Sequence, residues 1–336
     1  MASMREIAEK AGVSQATVSR VLSNHPSIKP ETKQNVLYWV KKLNYQTGEG
    51  KGAVVKSKSN LIGVILPDLI NPFFTEILAA VESTANYEGY SIVVMCTNKN
   101  LDREKNLINE MRAIGVDGII TVPVSSSKSV KTYTGINIPV VAITKELKGF
   151  NSISISHYNG GRKIAVHLLS LGFTKIGYVG PTNVSTSASK FNGFRDALKE
   201  EGYELSDIIE LPVVESIESL LPFNHIKNYL NSNEIKSQAL FAHDDSTACD
   251  LIKALCEHGY KVPQDIAVIG FDNSILSKKC HPSISTLSQP LKEMGDKAVG
   301  MIIGLINEEI ISISSYELDS RIISRDTTTA QKLKNM

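Results

Sequence analysis

The sequence predicts a small all-α helix-turn-helix head joined to a larger α/β body of two lobes, with parallel sheets and helices on both faces. Three observations predict it. Two short helices flank a glycine turn within residues 3–22. The charge is unevenly divided: the first 60 residues carry 10 Lys and Arg against 4 Asp and Glu, and the remaining 276 carry 26 against 31, although the whole chain sums to only +1. From Leu61 onward, short apolar runs alternate with amphipathic stretches, in two successive sets.

The head is read residue by residue. Ser3-Met4-Arg5-Glu6 has the form of a capping box, so a helix begins near Met4, with Ile7, Ala8 and Ala11 on its apolar side. Gly12 ends it by adopting a left-handed conformation at little cost. Ser14 caps a second helix running through Leu22, whose polar side carries Gln15, Ser19 and Arg20. Those side-chain types reach base edges and phosphates. The plain alternative is an ordinary αα-hairpin. The N-terminal position and the basic head on an acidic body favour a polyanion partner, double-stranded DNA. A third helix is expected from Pro30 to Leu43, with Val36, Leu37, Val40 and Leu43 facing the head core and Trp39 joining it.

Residues 46–59, QTGEGKGAVVKSKS, read as a linker. The first set of apolar runs follows: Leu61–Leu66, Ser91–Met95, Gly118–Val122 and Pro139–Ile143 as buried strands, with helical stretches at Phe73–Glu88 and Arg103–Ile114. The second set is Lys175–Val179, Ile208–Val214, Ala239–Ala242 and Ile266–Gly270, with helices at about 159–171, 189–201, 216–231 and 244–258. In open α/β sheets, ligands bind beyond the carboxyl ends of the strands. Candidate ligand residues are therefore Asp68, Phe73 and Phe74 after the first strand, and His243-Asp244 and Asp272 in the second set. An Asp just past a strand accepts paired hydroxyl hydrogen bonds, which suits a sugar. The alternatives are a helix start with buried phenylalanines at 73–74 and a helix N-cap at Asp244.

Other chemistries find no support. No run approaches 18 apolar residues, and no apolar leader precedes the first helix, so a cytoplasmic protein is expected. Cys96, Cys249, Cys256 and Cys280 are scattered; Cys249 and Cys256 are two helical turns apart, too far for a disulfide, so reduced structural thiols are expected. No Cys/His spacing suits zinc, and no cofactor is expected. His157, His167, His225, His258 and His281 show no spacing with a nucleophile, and Gly160-Gly161 lacks the context of a dinucleotide loop. An enzyme is therefore not expected.

Ala8 to Leu22, A-x-x-A-G-V-S-x-A-T-V-S-R-V-L, resembles the opening signature of the lactose/galactose-repressor family of bacterial transcription regulators. Glu31-Thr32 and Leu43-Asn44-Tyr45 continue the resemblance, as does the stretch from Val262-Pro263-Gln264-Asp265-Ile266 to Asp272-Asn273. The resemblance implies a periplasmic-binding-protein-like body in which the chain crosses between lobes three times, placed near 157, 287 and 319. The expected domains are a headpiece over 1–45, a hinge over 46–59 and an effector-binding, dimerisation domain over 60–330. Lobe 1 covers about 60–157 plus 288–318, and lobe 2 about 158–287 plus 319–330.

It also implies a homodimer on a pseudo-palindromic operator, on the bacterial nucleoid, acting as a repressor of a carbohydrate-utilisation operon. Gln15, Ala16 and Arg20 would read bases, while Ser14, Thr17, Ser19 and Asn24 would position phosphates. In the family a hinge helix wedges an apolar side chain into the minor groove. That position falls on Val54, where members usually have Leu, and Gly48, Gly50 and Gly52 would each cost a helix about 1 kcal/mol. Either the hinge folds less readily or it works with little helix; a flexible tether is the plain alternative. The tail after Arg325 is too short for a heptad repeat of three or four units, so a tetramerising coiled coil is not expected.

Two further departures concern the ligand. Members that bind neutral sugars or purines usually carry Arg at or near Lys190, and an acid is common where this chain has Thr144-Lys145. Lys lacks the bidentate fork of Arg. A more positive pocket extends the expected effectors to a sugar acid or sugar phosphate; the alternative is that both lysines are solvated rim charges. Gln289, just past the second crossing, completes the candidate effector set. The competing classes are a sugar-binding transport protein and an α/β sugar enzyme with an accessory DNA-binding head.

Overall fold

The computed structural model describes residues 3–22, 25, 28–43, 58–183, 185–212 and 222–328. The chain forms two compact units, 1–59 and 60–336.

In the first unit, α1 (Met4–Ala11) is capped by Ser3, whose side chain accepts from the Glu6 N–H, and ends at Gly12 with φ 66°. Ser14 Oγ accepts from the Thr17 N–H as α2 (Gln15–Leu22) begins. α3 (Pro30–Lys42) is tied to α1 by Asn35 Nδ2, which donates to the Ala11 carbonyl at 2.9 Å. Ile7, Ala8, Ala11, Val18, Val21 and Val36 form the core, with Trp39, Val40 and Leu43 packed against it. Leu37 corrects the expectation for α3: it is 43% exposed. Positions 36, 39, 40 and 43 make one helical stripe, and residue 37 lies about 100° off it.

The second unit alternates strands and helices. Its first part comprises β1 (Leu61–Leu66), α4 (Pro72–Tyr87), β2 (Ser91–Cys96), α5 (Leu101–Ile114), β3 (Gly118–Thr121), α6 (Val130–Tyr133), β4 (Val140–Thr144) and β5 (Asn151–Ile155). Next come α7 (His157–Ser170), β6 (Ile176–Gly180), α8 (Ser185–Glu200), β7 (Leu205–Glu210), α9 (Phe223–Ser232), β8 (Ala239–Ala242), α10 (Asp245–Glu257), β9 (Ala267–Asp272), α11 (Ile275–Lys279) and β10 (Ser285–Ser288). The chain finishes with α12 (Leu291–Ile306), β11 (Ser315–Leu318) and β12 (Arg321–Ile323).

Two six-stranded sheets result, ordered β11-β5-β4-β3-β1-β2 and β12-β10-β9-β8-β6-β7. All pairs are parallel except β10 with β12. Both sheet faces are buried: Ile62, Val64 and Leu66 of β1 enter one core and Ile65 the other. Ala267, Ile269 and Phe271 of β9 likewise face away from Val268. Such strands read as unbroken apolar runs, which is why β1, β3, β4, β8 and β9 are visible in sequence. The chain passes between sheets after β5, after β10 and between β11 and β12.

Other elements differ from expectation. The strand expected at 208–214 begins at Leu205 and runs to Glu210, and α9 starts at Phe223 rather than 216; residues 213–221 are outside the described set. β5, β10, β11 and β12 had no apolar run to announce them. They are short, and β5 and β10 are rich in Ser and Thr; side chains help hold an edge, as where Asn151 Oδ1 accepts from both Ser314 N and Oγ.

Two glycines set the α7–α8 packing. A Cβ on Gly161 would lie 2.0 Å from the Lys190 carbonyl oxygen, and one on Gly193 would lie 1.9 Å from that of Tyr158. Gly161 and Gly193 therefore serve backbone approach, and that approach places Lys190, whereas Gly160 leaves room for the Phe271 ring.

Candidate functional site

On the head, the exposed face of α2 carries Gln15, Ala16, Ser19 and Arg20, while Val18 and Val21 are buried. Ser14 and Thr17 sit at the helix start and their hydroxyls contact one another at 2.9 Å. A compact basic unit that presents such a helix face can enter a major groove. Asn24 and Val54 lie outside the described residues.

In the body, a cavity of about 680 Å³ lies between the carboxyl ends of the two sheets. Its lining comes from the ends of β1, β2, β3 and β4 on one side and of β6, β7, β8 and β9 on the other. Of the expected effector residues, Phe73, Phe74, Thr144, Lys145, Lys190, His243, Asp244, Asp272 and Gln289 line it. Asp68 does not. Its Oδ1 turns back to accept from the N–H groups of Ile70 (3.0 Å) and Asn71 (2.9 Å), shaping the turn that leads into α4.

The lobe-1 wall is apolar where Phe73 and Phe74 meet edge to face at 5.3 Å and where Val122 and Val124 follow β3. The lobe-2 wall is polar. Asp244 caps α10 through the Thr247 N–H (2.7 Å) and also lines the cavity. Its Oδ2 receives a long bond from Asn71 Nδ2 of lobe 1, at 3.4 Å. Burial would raise the Asp244 carboxyl, but His243, the Thr247 N–H and Lys190 together hold it low. Burial lowers His243, against the Asp244 carboxylate 3.8 Å away, which favours its charged form. Burial pushes Asp272 well up, against the Lys190 ammonium that favours its charged form.

Both lysines are already engaged. Lys190 is buried; its Nζ donates to the His243 carbonyl at 2.8 Å, lies 3.8 Å from Asp272 Oδ1 and sits 3.7 Å above the Phe271 ring. Lys145 Nζ donates to the carbonyls of Pro123 (3.0 Å) and Val124 (3.3 Å). Desolvation lowers Lys145 to about 8, opposed by buried Glu104 and assisted by Lys99. Glu104 in turn accepts from Val124 N, Ser129 Oγ and Tyr133 Oη, fixing the loop that receives Lys145.

The cleft floor holds acceptors. His157 Nε2 lies 3.1 Å from the Thr144 carbonyl, which can only accept, so Nε2 carries the proton and Nδ1 the lone pair. Desolvation, with Lys190 and Lys145 adding to it, lowers His157 to about 3, and the ring is neutral at physiological pH. Gln289 Nε2 donates to Asp272 Oδ1 at 2.7 Å. His157 Nδ1 and Gln289 Oε1 are buried with no hydrogen-bond partner among the described residues. Strained backbone gathers at the same place: Asn98, Lys99, Thr144 and Asp272, all lining the cavity, have φ of 49°, 59°, 67° and 111°.

Sequence reasoning missed His157, Lys99, Asn71 and Glu104 as parts of the site. The expected crossing near 157 was the available signal for His157, since a crossing segment lies at the cleft floor. Nothing local marked Glu104, which acts from within α5. Among the described residues, no group of three or more His, Cys, Asp or Glu is placed to hold a metal, and no helix is long and apolar enough to cross a membrane.

Residues 3–48 match the family described as bacterial regulatory proteins, lacI family, and residues 165–328 match the periplasmic binding protein-like domain. The transcriptional regulator DegA of Bacillus subtilis strain 168 is 32% identical over 297 residues, covering 86% of this chain and 87% of that protein. The chain belongs to the LacI family. As a LacI-family protein it is a DNA-binding transcription regulator and not an enzyme. The ribose operon repressor of Halalkalibacterium halodurans is 29% identical over 330 residues, 98% of this chain and 97% of that one. Among solved structures, a LacI-type regulator of Alkaliphilus metalliredigens complexed with D-xylulofuranose is 30% identical with a TM-score of 0.71, covering 81% of this chain and all (100%) of that one. The lac repressor dimer bound to operator and the anti-inducer ONPF is 26% identical with a TM-score of 0.72, covering 98% and 99%. Homologues in the family thus bind operator DNA as dimers and bind small sugars.

Proposed function

We propose that this LacI-family regulator represses a carbohydrate-utilisation operon and responds to a neutral sugar held in the interlobe cavity. The observation that carries the reading is the polarity of the cleft. His157 Nδ1 and Gln289 Oε1 are acceptors with no partner among the described residues, and the Asp244 and Asp272 carboxyl groups line the same cavity. A sugar presents hydroxyl donors to such a set and an apolar C–H face to Phe73 and Phe74. The ammonium groups that suggested an anion are occupied by protein carbonyls and, for Lys190, by Asp272. The relatives named for ribose and crystallised with a pentulose support the size and class of ligand.

The protein acts as a homodimer on a pseudo-palindromic site, because a two-fold protein imposes a two-fold operator. Gln15, Ala16 and Arg20 read bases, and Ser14, Thr17 and Ser19 contact phosphates. Residues 60–330 bind the effector and supply the dimer contacts. Sugar binding favours one arrangement of the lobes, and operator affinity changes by the sugar's preference between arrangements.

The test is a thermal-shift screen of the purified chain against neutral pentoses and hexoses, sugar acids and sugar phosphates. A ligand at about 100 times its Kd adds about 2.7 kcal/mol to stability. Stabilisation by a neutral sugar upholds the reading. Stabilisation by anionic compounds alone overturns it in favour of a site centred on Lys145 and Lys190.

A further inference from the structure

Two cysteines that are scattered in the sequence are brought together by the fold. Cys249 lies in the second turn of α10, and Cys280 is the residue that ends α11. Their sulfur atoms are 2.8 Å apart, with the Cys280 thiol directed at Cys249 Sγ. A covalent S–S bond is about 2.05 Å, so closure asks for a shift of under about 1 Å. Both residues are only partly buried, and with exposed Cys256, Lys253 and His281 they line a surface pocket separate from the cleft. A small oxidant has access to the pair.

We propose that Cys249 and Cys280 are a redox modification site: a dithiol that a hydroperoxide converts to an intramolecular disulfide. Cys249 is the attacking thiol. The hydrogen bond from Cys280 favours its thiolate, and the same bond raises Cys280. The Cys249 thiolate attacks the terminal oxygen of the hydroperoxide: the S–O bond of a sulfenic acid forms, the O–O bond breaks, and the hydroxide or alkoxide released takes up the proton that the Cys249 thiol gave up. Cys280 Sγ then attacks the sulfenyl sulfur, the S–S bond forms and water leaves. Two thiols lose two electrons, and the peroxide is reduced to water and water or alcohol.

The bond would join two helices that frame the cleft. α10 begins immediately after Asp244, and α11 follows Asp272 by two residues. The Ile275 N–H at the start of α11 donates to Glu76 of lobe 1 at 2.6 Å, so a tethered α11 also holds a contact between lobes. In a reducing compartment, such disulfides are characteristically transient and sensory.

The experiment uses the full chain, reduced and then exposed to hydrogen peroxide. Free thiols are alkylated, and peptides are mapped by mass spectrometry. The expected result is loss of two alkylatable thiols, a crosslinked Cys249–Cys280 peptide restored by dithiothreitol, and slower hydrogen exchange at residues 275–280. In Cys280→Ser, peroxide should leave a dimedone-reactive sulfenic acid on Cys249; Cys256→Ser should still form the crosslink. The proposal is overturned if Cys249 and Cys280 both stay alkylatable at peroxide levels that oxidise free cysteine, or if the only disulfide formed includes Cys256 or joins two chains. These readouts require neither sugar nor DNA, so they stand apart from the effector assignment.

Discussion

The head and the cleft carry function in opposite ways. The groups proposed to face DNA on α2 are exposed, come from one run of residues and rest on a small apolar core. The groups around the cavity come from many strand ends, include buried polar side chains such as Lys190, Asp272 and Gln289, and include backbone held at positive φ. A contiguous exposed face needs only local rules of capping and periodicity. An enclosed polar site needs a fold to over-determine it, because each buried donor or acceptor must be matched. Substitutions should therefore separate the two regions cleanly.

The largest effect is expected at the packing that positions the cleft. Gly161→Ala would drive a Cβ to 2.0 Å from the Lys190 carbonyl oxygen. It should cost the body about 3 kcal/mol or more, lowering Tm by roughly 5–10 °C in calorimetry, with sugar binding lost and head helicity retained. Asp272→Asn should reduce sugar affinity by about 2 kcal/mol, roughly thirtyfold by titration calorimetry, with operator affinity of the free protein unchanged. Arg20→Ala should do the reverse: operator affinity falls by about 1–3 kcal/mol in an anisotropy assay, and sugar affinity stays the same. A variant that damaged both regions equally would break the comparison.

A pH experiment sharpens it. The folded site holds His157 neutral down to about 3, whereas an unfolded imidazole takes up a proton below about 6.5. The unfolded state therefore binds more protons in that window, and His157 makes stability fall as pH drops through it. Asp245, which burial pushes up to about 7, works in the opposite direction. The readout is thus the difference from His157→Gln: between pH 6.5 and 5.5 the wild type should lose about 1 kcal/mol relative to the variant. The smallest effect is expected for Lys145→Met, whose ammonium is bonded to its own lobe. Affinity for a neutral sugar should change by less than about 1 kcal/mol, and a larger loss would return Lys145 to the ligand.

Legibility followed the same division. The capping box at Ser3, the turn at Gly12 and the α2 face could be read directly because they obey local rules. The apolar runs of β1, β3, β4, β8 and β9 were equally clear, and β5 or β10 was not, because Ser and Thr side chains replace the apolar pattern there. Of the Asp residues picked out by strand ends, Asp244 and Asp272 line the cavity, whereas Asp68 does not and its Oδ1 is engaged in its own turn. The lysines at 145 and 190 were visible as charges, but their partners were not. Pro123, Val124, His243 and Asp272 are distant in sequence, and those bonds decide whether the charges are available. The approach of Cys280 to Cys249 across 31 positions was hidden for the same reason.

The central claim is that a neutral sugar in the cleft controls the head. Its most direct test is operator affinity of the full chain, on a duplex selected from a random-sequence pool, with and without the sugar that best stabilises the protein. The wild type should show a roughly 5–150-fold change in affinity on adding sugar, and Asp272→Asn should need about thirtyfold more sugar to reach half of its change. Equal operator affinity for the sugar-free and sugar-saturated wild type would contradict the account.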